Sequence, residues 1–327
     1  MRERLVYIDW MKVIGMYFII AGHMFSDGHD FLYTFSVPLF FLISGFLFRY
    51  ETQQNIFWEK LFNNLVLPCL LICFIVLAVE SIARLLLGKF DIQIVYHRIL
   101  NIILGHQGKG LIGGGLGMCW FIYTLVICKI IQQLVHHSWL AKTIVLLVCF
   151  SIAFFYNRNG EFVYNSFMNV TLAYPFFLGG AFLSNYPEVN KSCSKKFSIA
   201  LACISLMVVI FITLLNGSVR LYGAQYGNNI LLFLIGGLSG TIMVYAFAQL
   251  LSKYNISPIN VLSRGMIIIL GFHNYFLIAY KIMLRDFRNP IIDYVISFLI
   301  LLSFIPIIKM AERWMPALLG MRAKKTS

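Results

Sequence analysis

Tyr7-Ile-Asp-Trp-Met-Lys-Val-Ile-Gly-Met-Tyr-Phe-Ile-Ile-Ala-Gly-His23 is an apolar run of membrane-helix length that carries Asp9, Lys12 and His23. At about 100° per residue, Lys12 and His23 are about three full turns apart, and Asp9 falls within about 40° of His23 on the same wheel. One stripe of a helix therefore holds an acid, a base and an imidazole. Each charge at membrane depth costs at least about 2.5–3.5 kcal/mol, so such groups mark functional sites by default. The run is long, carries two charges and lacks an Ala-x-Ala site, which reads as a retained first helix rather than a cleaved signal.

The rest of the chain repeats the apolar theme. Of 327 residues 60% are hydrophobic and 12% charged, with mean hydropathy +0.82, whereas a soluble domain is about a quarter charged. The composition predicts an all-α, polytopic transmembrane helical bundle. Ten spans can be drawn, at 7–25, 33–48, 65–87, 116–134, 142–157, 167–184, 197–215, 228–250, 266–282 and 291–310, against the ~20 residues a bilayer needs. The segment Ile92–Leu104 reads as an interfacial or re-entrant helix. The whole of 1–327 is expected to form one membrane domain with no appended soluble domain, because the loops are short. With the N-terminus inside, the inner segments hold thirteen lysines and arginines, from Arg2 and Arg4 to Lys324 and Lys325, and the outer segments hold seven. That asymmetry puts both termini in the cytoplasm. It also accounts for the net charge of +13 without a nucleic-acid partner. The seven cysteines show no paired Cys-x-x-Cys spacing, so no metal site or disulfide framework is expected.

On this topology the first helix runs outward. Asp9 and Lys12, three apart, can pair near its cytoplasmic entry. His23 lies about 16 Å further along the axis, in the outer half, where an imidazole can take a proton from a hydroxyl. The turn after it, Ser26-Asp27-Gly28-His29-Asp30, offers Asp27, His29 and Asp30 as hydrogen-bonding groups for a polar acceptor. Glu80 and Arg84 are an intramembrane i,i+4 pair, either a lock between helices or part of an acceptor cavity. His273, flanked by Asn274 and Tyr275, is either interhelical glue or a second cavity histidine. Ser44-Gly45 lacks Gly-x-Ser-x-Gly spacing and reads as helix packing. The glycine-rich 105–117 stretch lacks a Gly-Lys-Ser/Thr phosphate cradle; His106, Lys109 and Gly113–Gly115 suit a lid instead.

Ile8-Asp9-Trp10-Met11-Lys12, ten intervening residues, His23, and then Val37-Pro-Leu-Phe-Phe-Leu-Ile-Ser-Gly45-Phe-Leu-Phe48 resemble the start of the integral-membrane acyltransferase-3 family. The likeness is closest to its fucose 4-O-acetylase-like branch. Trp120-Phe121, Leu172-Ala-Tyr-Pro175-Phe-Phe-Leu-Gly179 and Ile268-Ile-Leu-Gly-Phe-His273-Asn-Tyr275 resemble later family segments. The resemblance implies acyl transfer, usually of acetyl from acetyl-CoA, to a carbohydrate hydroxyl, at a bacterial inner membrane. It makes His23 and Lys12 the essential pair, His23 as general base and Lys12 on the donor side. Trp120 and His273 become acceptor-side candidates. The acyl-CoA is a co-substrate, and no permanently bound cofactor is expected; the partners are the bilayer, the donor and a carbohydrate acceptor. The sequence departs from the family where many members carry Arg-x-x-Arg. Here Glu59-Lys60-Leu-Phe-Asn63-Asn64-Leu-Val-Leu-Pro68 offers Lys60 alone, leaving Lys60, Arg49 and the Lys191–Lys196 cluster as donor-phosphate candidates. A transporter of a polysaccharide or glycolipid is the alternative from another class, but the chain shows no inverted repeat or paired broken helices.

Overall fold

A computed structural model describes residues 4–24, 28–105, 117–159, 166–283 and 289–321. In chain order they form α1 (Val6–Gly22), α2 (His29–Phe46), α3 (Gln54–Leu61), α4 (Leu67–Leu86), α5 (Ile92–Leu104), α6 (Cys119–Val135), α7 (Trp139–Asn159), α8 (Ser166–Leu183), α9 (Lys195–Asn216), α10 (Ile230–Leu251), α11 (Ser257–Arg264), α12 (Met266–Met283) and α13 (Pro290–Trp314). A π-helical turn, Phe62–Val66, fuses α3 to α4. There is no β-sheet among the described residues. Side-chain caps set several starts: Asp91, Ser194, Asn229 and Asn289 accept from the backbone N–H groups of Gln93, Phe197, Leu231 and Ile291, each satisfying an otherwise orphaned donor.

All ten predicted spans fall on helices. Among the described residues seven helices are long and apolar enough to cross a membrane: α2, the continuous Gln54–Leu86 helix, α7, α9, α10, α12 and α13. The other three, α1, α6 and α8, have 17, 17 and 18 residues, near the lower limit for a span. The second span is longer than drawn, because Gly28, in the left-handed region at φ 94°, starts a helix at His29.

Helix α2 is the hub, with α1, α8 and α10 packed around it. In a bilayer, apolar side chains gain nothing by leaving lipid for protein, so close approach through small residues organises the bundle. A Cβ at Gly45 would strike the Phe177 carbonyl, and one at Gly180 the Leu42 carbonyl, so α2 and α8 touch backbone to backbone. Gly240 of α10 admits the Phe35 ring in the same way. The peripheral helices α7 and α9 instead expose Leu140, Leu147, Phe154, Met207, Phe211 and Leu214.

Two faces of the bundle follow from long-range bonds. On one, the Trp10 indole donates to the Tyr254 carbonyl at 3.0 Å, Asp9 meets Ser263, and Arg264 pairs with Glu312 near the end of α13 at 2.7 Å. On the other, Lys281 at the end of α12 donates to the His23 carbonyl at 2.8 Å, and Tyr17 to the Tyr294 carbonyl near the start of α13 at 3.3 Å. The first helix starts and the last ends on the same face, as an even number of crossings requires. We call it the chain-end face.

Two side-chain groupings differ from expectation. Glu80 bonds both Arg84 of its own helix, at 3.3 Å, and Arg98 of α5, and all three lie among the helices. The sequence distinguishes neither which of its two roles the pair plays nor that α5 supplies a second arginine. The cysteines are not all isolated: the thiols of Cys69 and Cys73, one turn apart on α4, meet that of Cys119, with all three sulfurs within 4.8 Å and buried. The third thiol comes from another helix, which local spacing cannot reveal.

Candidate active site

His23 sits at the C-cap of α1, where its backbone is tied on both sides. Its N–H bonds to the Ile19 and Ile20 carbonyls, at 3.2 and 3.1 Å, and its carbonyl accepts from Lys281. The ring lies in a cavity of about 300 Å³ that opens toward the face opposite the chain ends. Its walls are α1 (Ile19), α2 (Tyr33, Ser36, Val37), the start of α6 (Met118, Trp120, Phe121), the α9–α10 loop (Arg220, Leu221, Tyr222) and α12 (Leu270, His273, Asn274). His23 is an exposed residue and lines this cavity. Tyr33 Oη stands 3.1 Å from His23 Nδ1, and the His273 ring stacks beside it with centroids 5.3 Å apart at 27°.

The His273 contacts fix its proton. Its Nδ1 is 2.9 and 3.0 Å from the Ile269 and Leu270 carbonyls; carbonyls only accept, so Nδ1 carries the hydrogen and the neutral ring keeps a lone pair on Nε2. That Nε2 is buried without a hydrogen-bond partner among the described residues, as is Ser36 Oγ. Unsatisfied buried acceptors are rare and point to a missing partner. For His23, donation from Nδ1 to Tyr33 Oη would leave Nε2 basic, the state a general base needs.

The α9–α10 loop reaches over the cavity because it is pinned. Asn216 donates to the Tyr226 carbonyl and accepts from Asn229 N–H, Gly223 N–H donates to Asn169, and Arg220 and Gln225 exchange backbone bonds of 2.7 and 3.1 Å. Arg220 also borders a second, polar cavity of about 390 Å³, lined by Asn157, Gln225 and Tyr226.

A further cavity of about 340 Å³ lies toward the chain-end face. It holds Lys12, Ser44, Asn64, Lys129, Ser263 and Arg264 among apolar residues, and it shares Ile19, Phe121 and Leu270 with the His23 cavity. The two are therefore adjoining chambers with a common wall of three apolar side chains. Arg264 is paired with Glu312, whereas Lys12 and Lys129 have no carboxylate partner among the described residues. Two ammonium groups facing one chamber create a demand for an anion.

Other residues singled out in the sequence go elsewhere. The expected Asp9–Lys12 pair does not form. The Asp9 carboxylate accepts from Arg4 at 2.6 Å and from Ser263, lines neither chamber, and ties α1 to α11. Lys60 is turned to Glu51 at 2.5 Å and is likewise outside both chambers. Glu80 and Arg84 lock α4 to α5 and do not border the His23 cavity. His29 and Asp30 pair with each other at 3.2 Å, near the cavity mouth through the His29–Tyr33 ring contact. Asp27 and the lid candidates His106, Lys109 and Gly113–Gly115 lie outside the described residues. Trp120 and His273 do line the His23 cavity. Tyr33, Ser36, Arg220 and Lys129 were missed as site residues. Lys129 alone carried a usable signal, a lysine in mid-span.

Comparison with known families is decisive here: the acyltransferase-3 family model, described as an acyltransferase domain, matches residues 5–310. The chain belongs to the acyltransferase-3 family. No curated protein and no solved structure matches it. The acyltransferase is a multi-pass helical membrane protein, and the match runs from the base of α1 into α13, taking in the lining of both chambers apart from Leu319.

Proposed function

We propose that this acyltransferase moves an acetyl or other short acyl group from acyl-CoA to a carbohydrate hydroxyl, as an O-acyltransferase of a bacterial inner membrane. The observation that carries the reading is the pair of adjoining chambers, with an imidazole cluster in one and unpaired lysines in the other. The excess of basic residues in the loops of the chain-end face supports a cytoplasmic position for that face. A thioester arm entering there passes Lys12 and Lys129, whose charges suit the donor's phosphates. It crosses the Ile19–Phe121–Leu270 wall and brings its carbonyl to His23, about 16 Å along α1 from Lys12.

In the outer chamber His23 takes the proton of the acceptor hydroxyl. The oxygen attacks the thioester carbonyl, the C–S bond breaks, and the leaving thiolate takes back the proton from the imidazolium. His273 Nε2 and Ser36 Oγ offer partners for the acceptor's other hydroxyls, and the polar cavity beyond Arg220 has room for a neighbouring sugar.

The test is His23→Ala in protein that inserts and elutes as the parent does. Transfer of labelled acetyl from the thioester to envelope glycan should fall to background, and retained transfer would refute the assignment. A transporter would translocate glycan without moving the label.

A further inference from the structure

Helix α6 continues past the lysine chamber with the same face. Phe121, Leu125 and Lys129 line that chamber, while Gln132 and His136, at the following i+3 and i+7 positions, line another cavity of about 290 Å³ on the chain-end face. Helix α2 makes the same transition: Ser44 and Leu47 belong to the lysine chamber, and Phe48, Arg49 and Tyr50 to the next cavity. The divide is Phe48, over whose ring the Lys129 ammonium sits at 5.6 Å. The starts of α7 and the end of α8 close the cavity with Trp139, Lys142 and Asn185.

The chemistry of this fourth cavity is basic and flat. Arg49 and Lys142 have no carboxylate partner among the described residues; Lys142 is buried, and its ammonium lies 4.6 Å from the Trp139 ring. Among the described residues the cavity lining includes no Asp or Glu. The closest carboxylate in sequence, Glu51, is engaged by Lys60. His136 Nδ1 is buried without a hydrogen-bond partner among the described residues. The aromatic surfaces are already ordered: the Tyr50 and His136 rings stack in parallel at 4.6 Å and 12°. Arginine and lysine beside aromatic rings, of which Trp139 is exposed, form the combination that holds a phosphorylated base, with phosphate on the cations and the base on the rings. A lipid headgroup would use the cations but not the flat faces.

We propose that this cavity, bounded by Arg49, Tyr50, His136, Trp139 and Lys142, binds the phosphorylated nucleoside end of the donor. Its arm then runs past Phe48 into the lysine chamber. The inference rests on the reading of acyl-CoA as donor. It explains how a chain without the Arg-x-x-Arg pair holds the nucleotide: the cations come from the ends of α2 and α7 instead of the α3–α4 junction.

The probe is adenosine 3′,5′-bisphosphate, which has the head without the arm, titrated against the full-length protein in lipid nanodiscs. It should bind, compete with acyl-CoA, and bind at least about tenfold more weakly to Arg49→Gln and Lys142→Gln. Trp139 is 63% exposed, so Trp139→Ala should fold normally and lose the stacking share of the affinity. His23→Ala should bind the probe unchanged. Undiminished binding in the Arg49 and Lys142 variants, or failure of the bisphosphate to compete while acyl-CoA still donates, would overturn the site and leave the donor reading intact. Binding that depends on Arg49 and Lys142 in a protein that takes no acyl group from the thioester would support the site and overturn the donor reading. Loss of phosphatidylglycerol from both variants, with no bisphosphate binding by the parent, would identify a lipid site and overturn the proposal.

Discussion

Lys129→Met separates a donor-binding lysine from a structural one. The parent side chain faces the chamber with no carboxylate partner among the described residues, and its ammonium lies over the Phe48 ring at 5.6 Å. Removing a cation that contacts a phosphate costs about 1.5–3 kcal/mol of binding. At about 1.4 kcal/mol per decade, this is roughly a tenfold to hundredfold rise in the KM for acyl-CoA. The effect should leave kcat nearly intact, because Lys129 is two turns, about 12 Å, down α6 from the wall at Phe121; loss of uniform binding appears in KM alone. Stability should hardly change. The cation–π contact is worth about 0.5–1 kcal/mol, methionine fills the same volume, and no partner charge is left stranded. The assay is initial-rate transfer of labelled acyl in nanodiscs across donor concentrations, beside a thermal melt. Lys60→Met is the control, since Lys60 is paired with Glu51 outside the chamber, and its donor KM should match the parent. Collapse of kcat at unchanged KM, or a destabilised fold, would refute the reasoning.

Tyr33→Phe removes the hydroxyl 3.1 Å from His23 Nδ1; a lost bond of about 0.5–1.5 kcal/mol should slow turnover roughly two- to tenfold and alter the pH–rate profile, and an unchanged rate and profile would show that Tyr33 does not orient the ring. Glu80→Ala removes the buried carboxylate that Arg84 and Arg98 share and should cost about 3–5 kcal/mol in a denaturant titration, with activity of the surviving folded protein retained; a specific loss of turnover would return Glu80 to the site. Gly45→Leu drives a side chain into the Phe177 carbonyl and should lower the melting temperature sharply or prevent assembly of α2 on α8; a normal melt would show that the helices do not meet there.

Most of the secondary structure was legible because apolar length and charge placement act locally. Each predicted span landed on a helix, and the errors were at ends such as His29, where a left-handed glycine sets the start. The stripe on α1 was legible for the same reason: helical period alone puts Lys12 and His23 on one face. What those residues do to one another was not. Asp9 is three residues from Lys12, yet it bonds Ser263, 254 positions away, because α11 packs on the base of α1. Lys60 found Glu51, and Lys129 and Arg220 joined the chambers from helices and loops far off in sequence.

The sequence by itself determined the membrane helices and the polar residues they must carry, since burying a charge in an apolar run is costly wherever it occurs. The tertiary structure alone decided which of those charges are satisfied. Close approaches at Gly45, Gly180 and Gly240, the first two backbone to backbone and the third onto the Phe35 ring, choose the neighbours of α2, and the neighbours choose the pairs. Asp9, Lys60 and Glu80 are consumed in pairing, whereas His23, His273, Lys12 and Lys129 are left facing two chambers with one shared wall.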